Sequence, residues 1–478
     1  MNVTADIAIV GAGPAGLAAA SAAANAGVSV ALIDAGPRPG GQFWRHRAHG
    51  IDPDADLHHN LATFTRLRPD EKITYLPDHQ VWTISAADRG CTVRALTPDQ
   101  TETVIDAGFL ILAPGAYDRQ IPFPGWDLPG VMTAGGVQAL LKGQGVLAGQ
   151  RVLVAGTGPF LLPVAAGLAT RGATVVGVHE SNHPVAWLRH PSGALGKLPE
   201  ALGYLRVLRR YRVPVRYRSA VVAVEGDRQA AAALIAPVTR NGSVLRHEAT
   251  RVPVDVVAVG WGFTPQLELP LAAGCQTRVN EDGSLVVVVD DDQFTSHPRV
   301  LAAGEVTGVG GAALAVTEGT IAGAAAAARA TAARAAGAAP PQRDLARLRR
   351  RRARLRDFAR ALYQVYPVPA AWEDNLANDT IVCRCEEVTA GQLREAVDLG
   401  AVDARTAKLL SRAGMGWCQG RVCGYAASCL VSRWTGAPYD PRPGAERPVA
   451  VPLPLGALTG RGTGTTPGAS PGSAGSRG

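Results

Sequence analysis

Four cysteines near the end of the sequence have the type and spacing of a metal site. Cys383 and Cys385 form a C-x-C pair, Cys418 and Cys423 form a C-x4-C pair, and 32 residues separate the two pairs. The chain has only seven cysteines, and the other three are isolated in sequence, which is typical of small buried apolar residues. In a reducing compartment the paired cysteines favour metal ligation over a disulfide. Zinc and a [2Fe-2S] cluster both accept four thiolates, so spacing alone leaves the metal open.

The residues between the two pairs predict two short helices that would bring the thiolates together. Thr389 and Gln392 form a capping box, and Gly400 ends the first helix. Asp403 is a candidate N-cap for the second helix, which is expected to end near Gly414. The sequence therefore predicts a small helical metal-binding domain.

A glycine-rich turn near the N-terminus has the pattern of a dinucleotide site. A strand over 5–10, a turn over 11–16 and a helix over 17–26 precede a second strand over 28–33, which is closed by Asp34. Glycines permit the tight turn, the approach of a pyrophosphate and close helix-on-strand packing, while the helix N-terminus attracts phosphates. Asp34 is predicted to accept hydrogen bonds from the adenosine ribose. The predicted contacts of this unit are Gly11, Gly13, Pro14, Ala15, Gly16, Asp34 and Ala35.

Two later segments resemble parts of two-dinucleotide flavoproteins that lie against FAD. The loop after the second strand would bring Gly41 and Gln42 close to the cofactor. The apolar strand from residue 109 leaves at Gly115, as in the A-T-G segment of those proteins, although Pro114 replaces the usual Thr. We expect the strand to be kept and the hydroxyl or N–H contact at position 114 to be lost.

A third segment resembles the A-x-G-D stretch whose acid binds the ribityl chain of FAD. Here Gly304 is followed by Glu305, one methylene longer than Asp, and Gly311 precedes a long Ala-rich helix. The resemblance implies that Glu305 contacts the flavin and that the helix N-terminus points toward it.

The first unit is repeated in the middle of the chain. A strand over 151–155, the turn at Gly156 and Gly158, a helix over 162–171 and a strand ending at Glu180 follow the same order. Leu161 stands at the third glycine position, which normally needs the smallest residue. The sequence leaves open whether this site binds NAD(P) or another adenine nucleotide, or has kept only the fold. The fold class is thus α/β with two Rossmann-like domains.

Composition excludes several other classes of protein. The 478 residues suit two or three domains, and the net charge of +8 comes with no nucleic-acid-binding motif. The segment from Ala312 to Ala339 contains Glu318, Arg329 and Arg334, so we expect a buried helix and no transmembrane segment. No signal peptide is recognisable at the N-terminus, and we expect a cytoplasmic protein.

The cysteine segments resemble a known module. Cys383-Arg-Cys-Glu-Glu, Lys408 and the run from Ser411 to Cys423 are similar to the [2Fe-2S] module of bacterioferritin-associated ferredoxin, or BFD. The resemblance selects [2Fe-2S] over zinc and makes Cys383, Cys385, Cys418 and Cys423 its ligands. Lys408, Arg412 and Arg421 would then offset the negative charge of the cluster.

Segments near the front of the chain resemble the α subunits of opine oxidases, hydrogen cyanide synthase and hetero-oligomeric proline and D-hydroxyproline dehydrogenases. The segments are 119–126 and 128–138, and the likeness spans about residues 3–435. It implies an FAD- and [2Fe-2S]-containing subunit that works with an amino-acid-oxidase-like flavin β subunit, which in some cases is joined by a small ferredoxin-like subunit. The β subunit would oxidise a small amino or imino acid. No acid or base in this chain is identified as catalytic, and the alternative is a stand-alone NAD(P)H-dependent FAD/iron-sulfur reductase.

The domain boundaries follow from these motifs. Between residues 340 and 362 an amphipathic basic helix is predicted, whose charged face we expect to be solvated rather than docked on a partner. The predicted parts are an FAD-binding domain in two pieces (1–117 and 284–337), an NAD(P)-binding-like domain (118–283), a basic helical linker (338–377), a BFD-like [2Fe-2S] domain (378–436) and a largely disordered tail (437–478).

Overall fold

A computed structural model describes residues 1–46, 66, 71–332, 342–369, 372–445 and 449–458. The strands are β1 (Asn2–Val10), β2 (Val30–Ile33), β3 (Ile73–Leu76), β4 (Gln80–Ala87), β5 (Gly90–Leu96), β6 (Glu102–Leu112), β7 (Ala116–Asp118), β8 (Val131–Thr133), β9 (Arg151–Gly156), β10 (Thr174–Glu180), β11 (Val215–Tyr217), β12 (Ser219–Glu225), β13 (Ala232–Pro237), β14 (Thr250–Pro253), β15 (Val256–Gly260), β16 (Phe263–Pro265), β17 (Thr277–Val279), β18 (Leu285–Val287), β19 (Val300–Ala302), β20 (Ile381–Cys383) and β21 (Val388–Thr389). The α-helices are α1 (Pro14–Asn25), α2 (Ala134–Ala139), α3 (Leu161–Thr170), α4 (Pro191–Arg210), α5 (Glu268–Ala272), α6 (Ala312–Ala332), α7 (Gln342–Val365), α8 (Ala390–Asp398), α9 (Ala404–Ser411), α10 (Gly424–Thr435), α11 (Arg442–Ala445) and α12 (Leu455–Leu458). Of the tail 437–478, which we expected to be largely disordered, residues 437–445 and 449–458 are described and include α11 and α12. The rest of this tail lies outside the described residues.

Strand β1 lies at the centre of the first sheet. The last four residues of β1 are apolar and buried there. Strands β3, β2, β1 and β6 are parallel, and β19 adds to β6 in parallel. The remaining strands β5 and β4 continue the sheet in antiparallel order. Strands β4–β6 thus form an antiparallel meander, whereas β3 is a parallel strand of the Rossmann-type sheet.

The second sheet repeats this architecture on a smaller scale. Its order is β11-β10-β9-β15-β8, and its strand pairs are parallel. Strands β7 and β16 form a two-stranded antiparallel crossover that leads the chain out of the first unit and back. The two Rossmann-like units expected from the repeat are thus confirmed, with the first unit assembled from two separate parts of the chain.

Helices α1 and α6 cross at very short distance in the first unit. A Cβ at Gly319 would lie 2.0 Å from the Ala15 carbonyl oxygen, and one at Gly323 would lie 2.2 Å from that of Ala19. Glycines four residues apart thus face alanines four residues apart, so the two backbones touch. None of the described helices, α6 included, combines the length and apolar character that crossing a membrane requires.

Helix α7 is packed against the molecule rather than free. Ala359, Ala361 and Val365 are buried, and its arginines at 349, 352 and 356 form ion pairs with Asp292, Asp291 and Glu318. We expected its charged face to be solvated, and part of that face is instead turned inward. These acids lie far away in sequence, which is why helical periodicity alone could not find them.

The C-terminal domain consists of the β20–β21 hairpin and helices α8, α9 and α10. Thr389 with Gln392 and Asp403 with Thr406 form the capping boxes that begin α8 and α9, so both predicted N-caps are confirmed. Beyond this domain the chain returns to the first unit, where Ala450 is buried and its N–H donates to the Trp82 carbonyl.

Candidate functional site

The four predicted metal ligands lie together at one end of the C-terminal domain. Cys383 ends β20, Cys385 follows in the next turn, and Cys418 and Cys423 flank the loop before α10. Cys383 contacts Cys423, and Cys385 contacts Cys418. Among the described residues, no three His, Cys, Asp or Glu side chains meet at one metal-sized point. Four thiols in two pairs are a donor set that a [2Fe-2S] cluster and a structural zinc ion both accept.

The two pairs differ in their environment. Cys383 and Cys423 are buried, whereas Cys385 is exposed and Cys418 is half-buried. The Cys423 thiol and the N–H groups of Gly414, Glu386 and Cys385 lower the pKa of Cys383 to about 6, so this sulfur favours the thiolate that metals require. The quartet therefore has one buried pair and one pair at the surface.

Two glycines that sequence reasoning did not select shape this site. The Gly414 N–H donates to Cys383 Sγ at 3.3 Å, and the residue has a φ of 85°. A Cβ at Gly416 would lie 2.3 Å from Cys385 Cβ, so only glycine lets the loop approach the thiol. Their signal in the sequence is their position just before the second cysteine pair.

Two of the three basic residues expected to offset cluster charge, Arg412 and Arg421, are paired with carboxylates. Arg412 Nε donates to Glu386 at 2.8 Å. Arg421 pairs with Glu268 at 2.8 Å, donates to the Tyr117 hydroxyl at 2.9 Å and to the Cys418 carbonyl at 3.1 Å. Arg421 is therefore a connection between the cysteine loop and the first Rossmann-type unit, a role that sequence reasoning missed.

The first glycine turn has the geometry of an anion cradle. Gly11 has a φ of 101°, and a Cβ at Gly16 would lie 1.7 Å from the Gly11 carbonyl oxygen. Gly13 caps α1 without any side-chain hydrogen bond, and no heavy atom lies within 4 Å of its Cβ position. Pro14 and Ala15 begin the helix. Unpaired N–H groups beside open space are what a pyrophosphate needs.

Asp34 is hydrogen-bonded to the backbone on both sides of it. Its carboxylate accepts hydrogen bonds from the N–H groups of Ala12 at 2.5 Å and Gly36 at 2.7 Å, so in this structure it binds the turn itself. Burial raises its pKa. Ala35 follows directly in the same loop. The prediction that Asp34 binds an adenosine ribose stays a prediction.

The other segments expected at the flavin also approach this turn. A Cβ at Gly41 would lie 2.9 Å from Gly13 Cα, which brings the exposed Gln42 close by. Gly115 has a φ of 87° and open space around its Cβ position. The glycine loop, the 40–42 loop and the exit of β6 thus lie at one edge of the first sheet, as ligand sites of open α/β sheets do.

Glu305 and its neighbours form a polar cluster before α6. Glu305 accepts a hydrogen bond from the Gly311 N–H at 3.0 Å, and burial raises its pKa to about 7. Glu318, almost fully buried, accepts from the Gly304 N–H at 3.0 Å and from Arg356 Nε at 2.9 Å. Sequence reasoning missed Glu318 and Arg356, since their partners are 14 and 38 residues away.

The second glycine turn differs from the first as Leu161 suggested. Helix α3 begins only at Leu161, and the preceding turn has a hydrogen bond from the Leu161 N–H to the Gly158 carbonyl. Gly156 has a φ of 134°, and a Cβ there would lie 1.9 Å from the Gly260 carbonyl oxygen, so both the backbone conformation and the space require glycine. Leu161 therefore fits because its helix starts later than α1 does after the corresponding glycine.

Glu180 holds this second turn as Asp34 holds the first. It accepts from the N–H groups of Gly158 at 2.7 Å and Asn182 at 2.9 Å, and burial raises its pKa to about 7. The Asn182 side chain in turn donates to the Pro367 carbonyl at 2.9 Å, just beyond α7. Residues just beyond α7 thus lie beside Glu180, at the end of β10.

The raised pKa of Glu180 predicts a pH-dependent stability. Between pH 4.5, the ordinary pKa of a glutamate, and pH 7, Glu180 is protonated in the folded state but ionised in the unfolded state. The free energy of unfolding therefore falls as the pH rises through this window, by about 1.4 kcal/mol per pH unit. Glu180→Gln keeps an acceptor oxygen and removes the charge. We expect it to raise the melting temperature by several degrees at pH 8 and to change it little at pH 5. Thermal melts should show no such difference for the exposed Glu395→Gln, and an equal shift at both pH values would contradict the assignment.

Two segments of the chain match sequence models of known protein families. Residues 5–335 match the sequence model described as pyridine nucleotide-disulphide oxidoreductase, and residues 381–433 match the BFD-like [2Fe-2S] binding domain. The BFD-like match bears out the [2Fe-2S] expectation for this domain. The individual cofactor contacts stay predictions.

Two characterised relatives align over most of the chain. An opine oxidase subunit of Rhizobium meliloti is 33% identical over 443 residues, covering 87% of this chain and 80% of that protein. Hydrogen cyanide synthase subunit HcnB of Pseudomonas aeruginosa is 33% identical over 437 residues, covering 88% and 92%. The fold superposes on L-proline dehydrogenase from P. horikoshii with a TM-score of 0.68 at 19% identity, covering 96% of this chain and 80% of that one. Both relatives are named as subunits of larger enzymes.

Proposed function

This chain belongs to the pyridine nucleotide-disulphide oxidoreductase family, and we propose that it is the FAD- and [2Fe-2S]-containing subunit of a hetero-oligomeric amino or imino acid dehydrogenase. As a member of that family it is a flavin-dependent oxidoreductase. Relatives of 33% identity are subunits of opine oxidase and of hydrogen cyanide synthase. The proposed substrates are of the proline, hydroxyproline or opine type, oxidised at a C–N bond by a partner subunit.

One observation carries the proposal: Arg421 joins the cysteine loop to the strand that leaves the flavin-type turn. The guanidinium of Arg421 donates to the carbonyl oxygen of Cys418 and to the hydroxyl of Tyr117. Tyr117 lies two residues beyond Gly115. The guanidinium is largely buried and paired with Glu268, so the connection is fixed. A fixed contact between the cysteine loop and the flavin-type turn is suited to electron transfer between the two sites.

The residues of the first unit fit FAD. The N-terminus of α1, opened by Gly11, Gly13 and Gly16, would hold the pyrophosphate, with Gly41, Gln42 and Gly115 along the cofactor. Glu305 would face the ribityl chain. The four cysteines would hold the [2Fe-2S] cluster. When bound, FAD supplies two-electron chemistry and the cluster one-electron transfer.

The second glycine turn supports the subunit role more than the reductase alternative. Tyr366 and Pro367 lie beside it, with the Tyr366 hydroxyl accepting from Trp187 Nε1 at 3.2 Å and Pro367 bonded to Asn182. Trp187 also stacks on Phe358 of α7 at 5.6 Å. The end of α7 thus braces the acid end of the second unit, where a dinucleotide would need to place its adenosine.

A partner subunit follows from the same proposal. The chain's own residues would bind the cofactors, orient them and exclude water, while an amino-acid-oxidase-like flavin β subunit would hold the substrate. A small ferredoxin-like subunit is the proposed further member. The names of both relatives, as subunits of larger enzymes, support this assembly.

Anaerobic stopped-flow absorption tests the proposal. We expect neither NADH nor NADPH to bleach the flavin band of the isolated, FAD-loaded chain within seconds, because the α7 brace and the delayed start of α3 disfavour the nicotinamide site. Proline, hydroxyproline or an opine should bleach it only when a partner subunit is present. Bleaching by NADH at catalytic rates would contradict the proposal and establish the reductase.

A further inference from the structure

The positive charge of the chain is concentrated in two segments. Residues 181–220 contain eight lysines and arginines and one acidic residue, and residues 343–360 contain nine arginines and two aspartates. The other 420 residues contain 31 basic and 37 acidic residues, so they are acidic as a whole. The net charge of +8 therefore comes entirely from these two segments.

The two basic segments are far apart in sequence but lie together in the structure. The first includes the 3-10 turn Pro184–Arg189 and helix α4, and the second belongs to α7. Trp187 of the turn stacks on Phe358 of α7 with 5.6 Å between the ring centroids, and α7 also contacts α4. Segments of like charge repel each other, and binding of an anionic partner relieves that repulsion.

The arginines of α7 are divided between two faces of the helix. On one face, four are paired with carboxylates; they are Arg349, Arg352, Arg356 and Arg360. Four others are exposed and have the spacing i, i+3, i+4 and i+7 of the opposite face; they are Arg347, Arg350, Arg351 and Arg354. No ion pair within the described part of the chain involves these exposed four. The same face continues to Phe358, four residues after Arg354, and so reaches Trp187.

Exposed aliphatic side chains lie where the two basic segments meet. Val185 is 57% exposed and Leu188 is 80% exposed, on either side of Trp187 in sequence, and the exposed Arg189 follows. The headgroup region of a bilayer accepts both kinds of side chain, because phosphates attract arginine and the acyl chains receive aliphatic groups. We call this set of residues the basic surface; it consists of Val185, Leu188, Arg189, Arg347, Arg350, Arg351 and Arg354.

We propose that the basic surface attaches the chain to the face of an anionic lipid membrane. A layer of lipid phosphates can meet all the arginines along α7 at once, whereas an acidic protein would have to match their pattern. Insertion of Val185 and Leu188 among the acyl chains adds an apolar contribution that a nucleic acid does not supply. The inference goes beyond the proposed function and needs neither of the cofactors.

Flotation of the purified full chain with lipid vesicles tests the proposal. Vesicles of phosphatidylcholine with about 30% phosphatidylglycerol should bind the chain, and vesicles of phosphatidylcholine alone should bind it at least tenfold more weakly. Raising the salt concentration from about 0.05 M to about 0.5 M should weaken the binding, because exposed charges are screened.

Two variants with matched controls locate the contact. Arg350→Glu with Arg354→Glu should weaken binding to the anionic vesicles at least tenfold. Its control, Arg228→Glu with Arg240→Glu, makes the same change in net charge at exposed positions of the second unit and should bind within about twofold of the parent.

Leu188→Ser leaves the charge unchanged and should weaken the binding about threefold, since an aliphatic group no longer enters the acyl chains. Its control is Leu399→Ser, which is 69% exposed on the C-terminal domain and should bind as the parent does. The substituted side chains are all exposed, so thermal melts should match that of the parent.

Four results would overturn the membrane proposal. The parent chain does not bind the anionic vesicles, it binds the neutral ones equally well, or the variant at Arg350 and Arg354 binds as tightly as the parent. In the fourth, Leu188→Ser has no effect while RNA or polyglutamate competes with the vesicles, which shows a surface for polyanions in general. The flavin content of the chain does not enter any of these readouts, so failure of the proposed function is seen separately.

Discussion

Replacing Cys418 by Ser is expected to abolish the EPR signal of the reduced [2Fe-2S] cluster while FAD stays bound. Cys418 pairs with Cys385 at the exposed side of the quartet, and a serine hydroxyl is a harder, poorer ligand for the cluster than a thiolate. The flavin-type turn belongs to another domain, so its contacts should survive. EPR of the dithionite-reduced protein and the visible flavin absorption measure the two effects separately.

The matched control for this change is Cys429→Ser. Cys429 lies on α10 of the same domain and is half-buried, but it contacts Tyr425 rather than the cysteines of the quartet. Its replacement should leave the EPR signal in place. A cluster signal of full intensity in Cys418→Ser, or zinc without iron in the purified chain, would show that the quartet is not a [2Fe-2S] site.

Gly16→Ala is expected to destabilise the first unit and to empty its flavin site. The added Cβ would lie 1.7 Å from the Gly11 carbonyl oxygen, so either the turn or α1 must shift. Overpacking of this kind costs about 1–3 kcal/mol and sometimes more, which for a protein of this size lowers the melting temperature by about 1–3 °C or more. Thermal melts and the flavin content of the purified protein measure the loss.

Gly13→Ala separates the fold from the ligand. A Cβ at this position meets no heavy atom within 4 Å, so the melting temperature of the FAD-free protein should change little. The methyl group would instead fill the space where a pyrophosphate approaches, and the affinity for FAD should fall at least tenfold. Equal FAD affinity in Gly13→Ala and the parent would place the pyrophosphate elsewhere.

The features that could be predicted from the sequence are those set by residues close together in the chain. The turn from Gly11 to Gly16 and the capping boxes at Thr389 and Asp403 depend on fixed short spacings, and the structure has them. The cysteine quartet could be predicted as a group because its two pairs are tight and cysteine is otherwise rare.

The features that could not be predicted are contacts between distant parts of the chain. Arg356 forms an ion pair with Glu318, and Arg421 contacts Glu268 and Tyr117. Local sequence spacing does not identify these partners. The basic helix was expected to be solvated because periodicity shows which residues share a face and not what that face meets. Leu161 was correctly identified as a departure, but its contact with Gly260, where a Cβ would lie 2.9 Å from Leu161 Cδ2, could not be read from the sequence.

The close crossing of α1 and α6 sets the order in which the molecule can be built on the ribosome. Ala15 and Ala19 leave the exit tunnel early, whereas Gly319 and Gly323, which complete the contact, follow some 300 residues later, after the whole second unit. Until then the apolar face of α1 lacks its neighbour, and the turn at Gly304 and Glu305 is missing from the first unit. We therefore expect cofactor uptake to be a late event in synthesis, and we expect the second unit to fold before the unit that surrounds it in sequence.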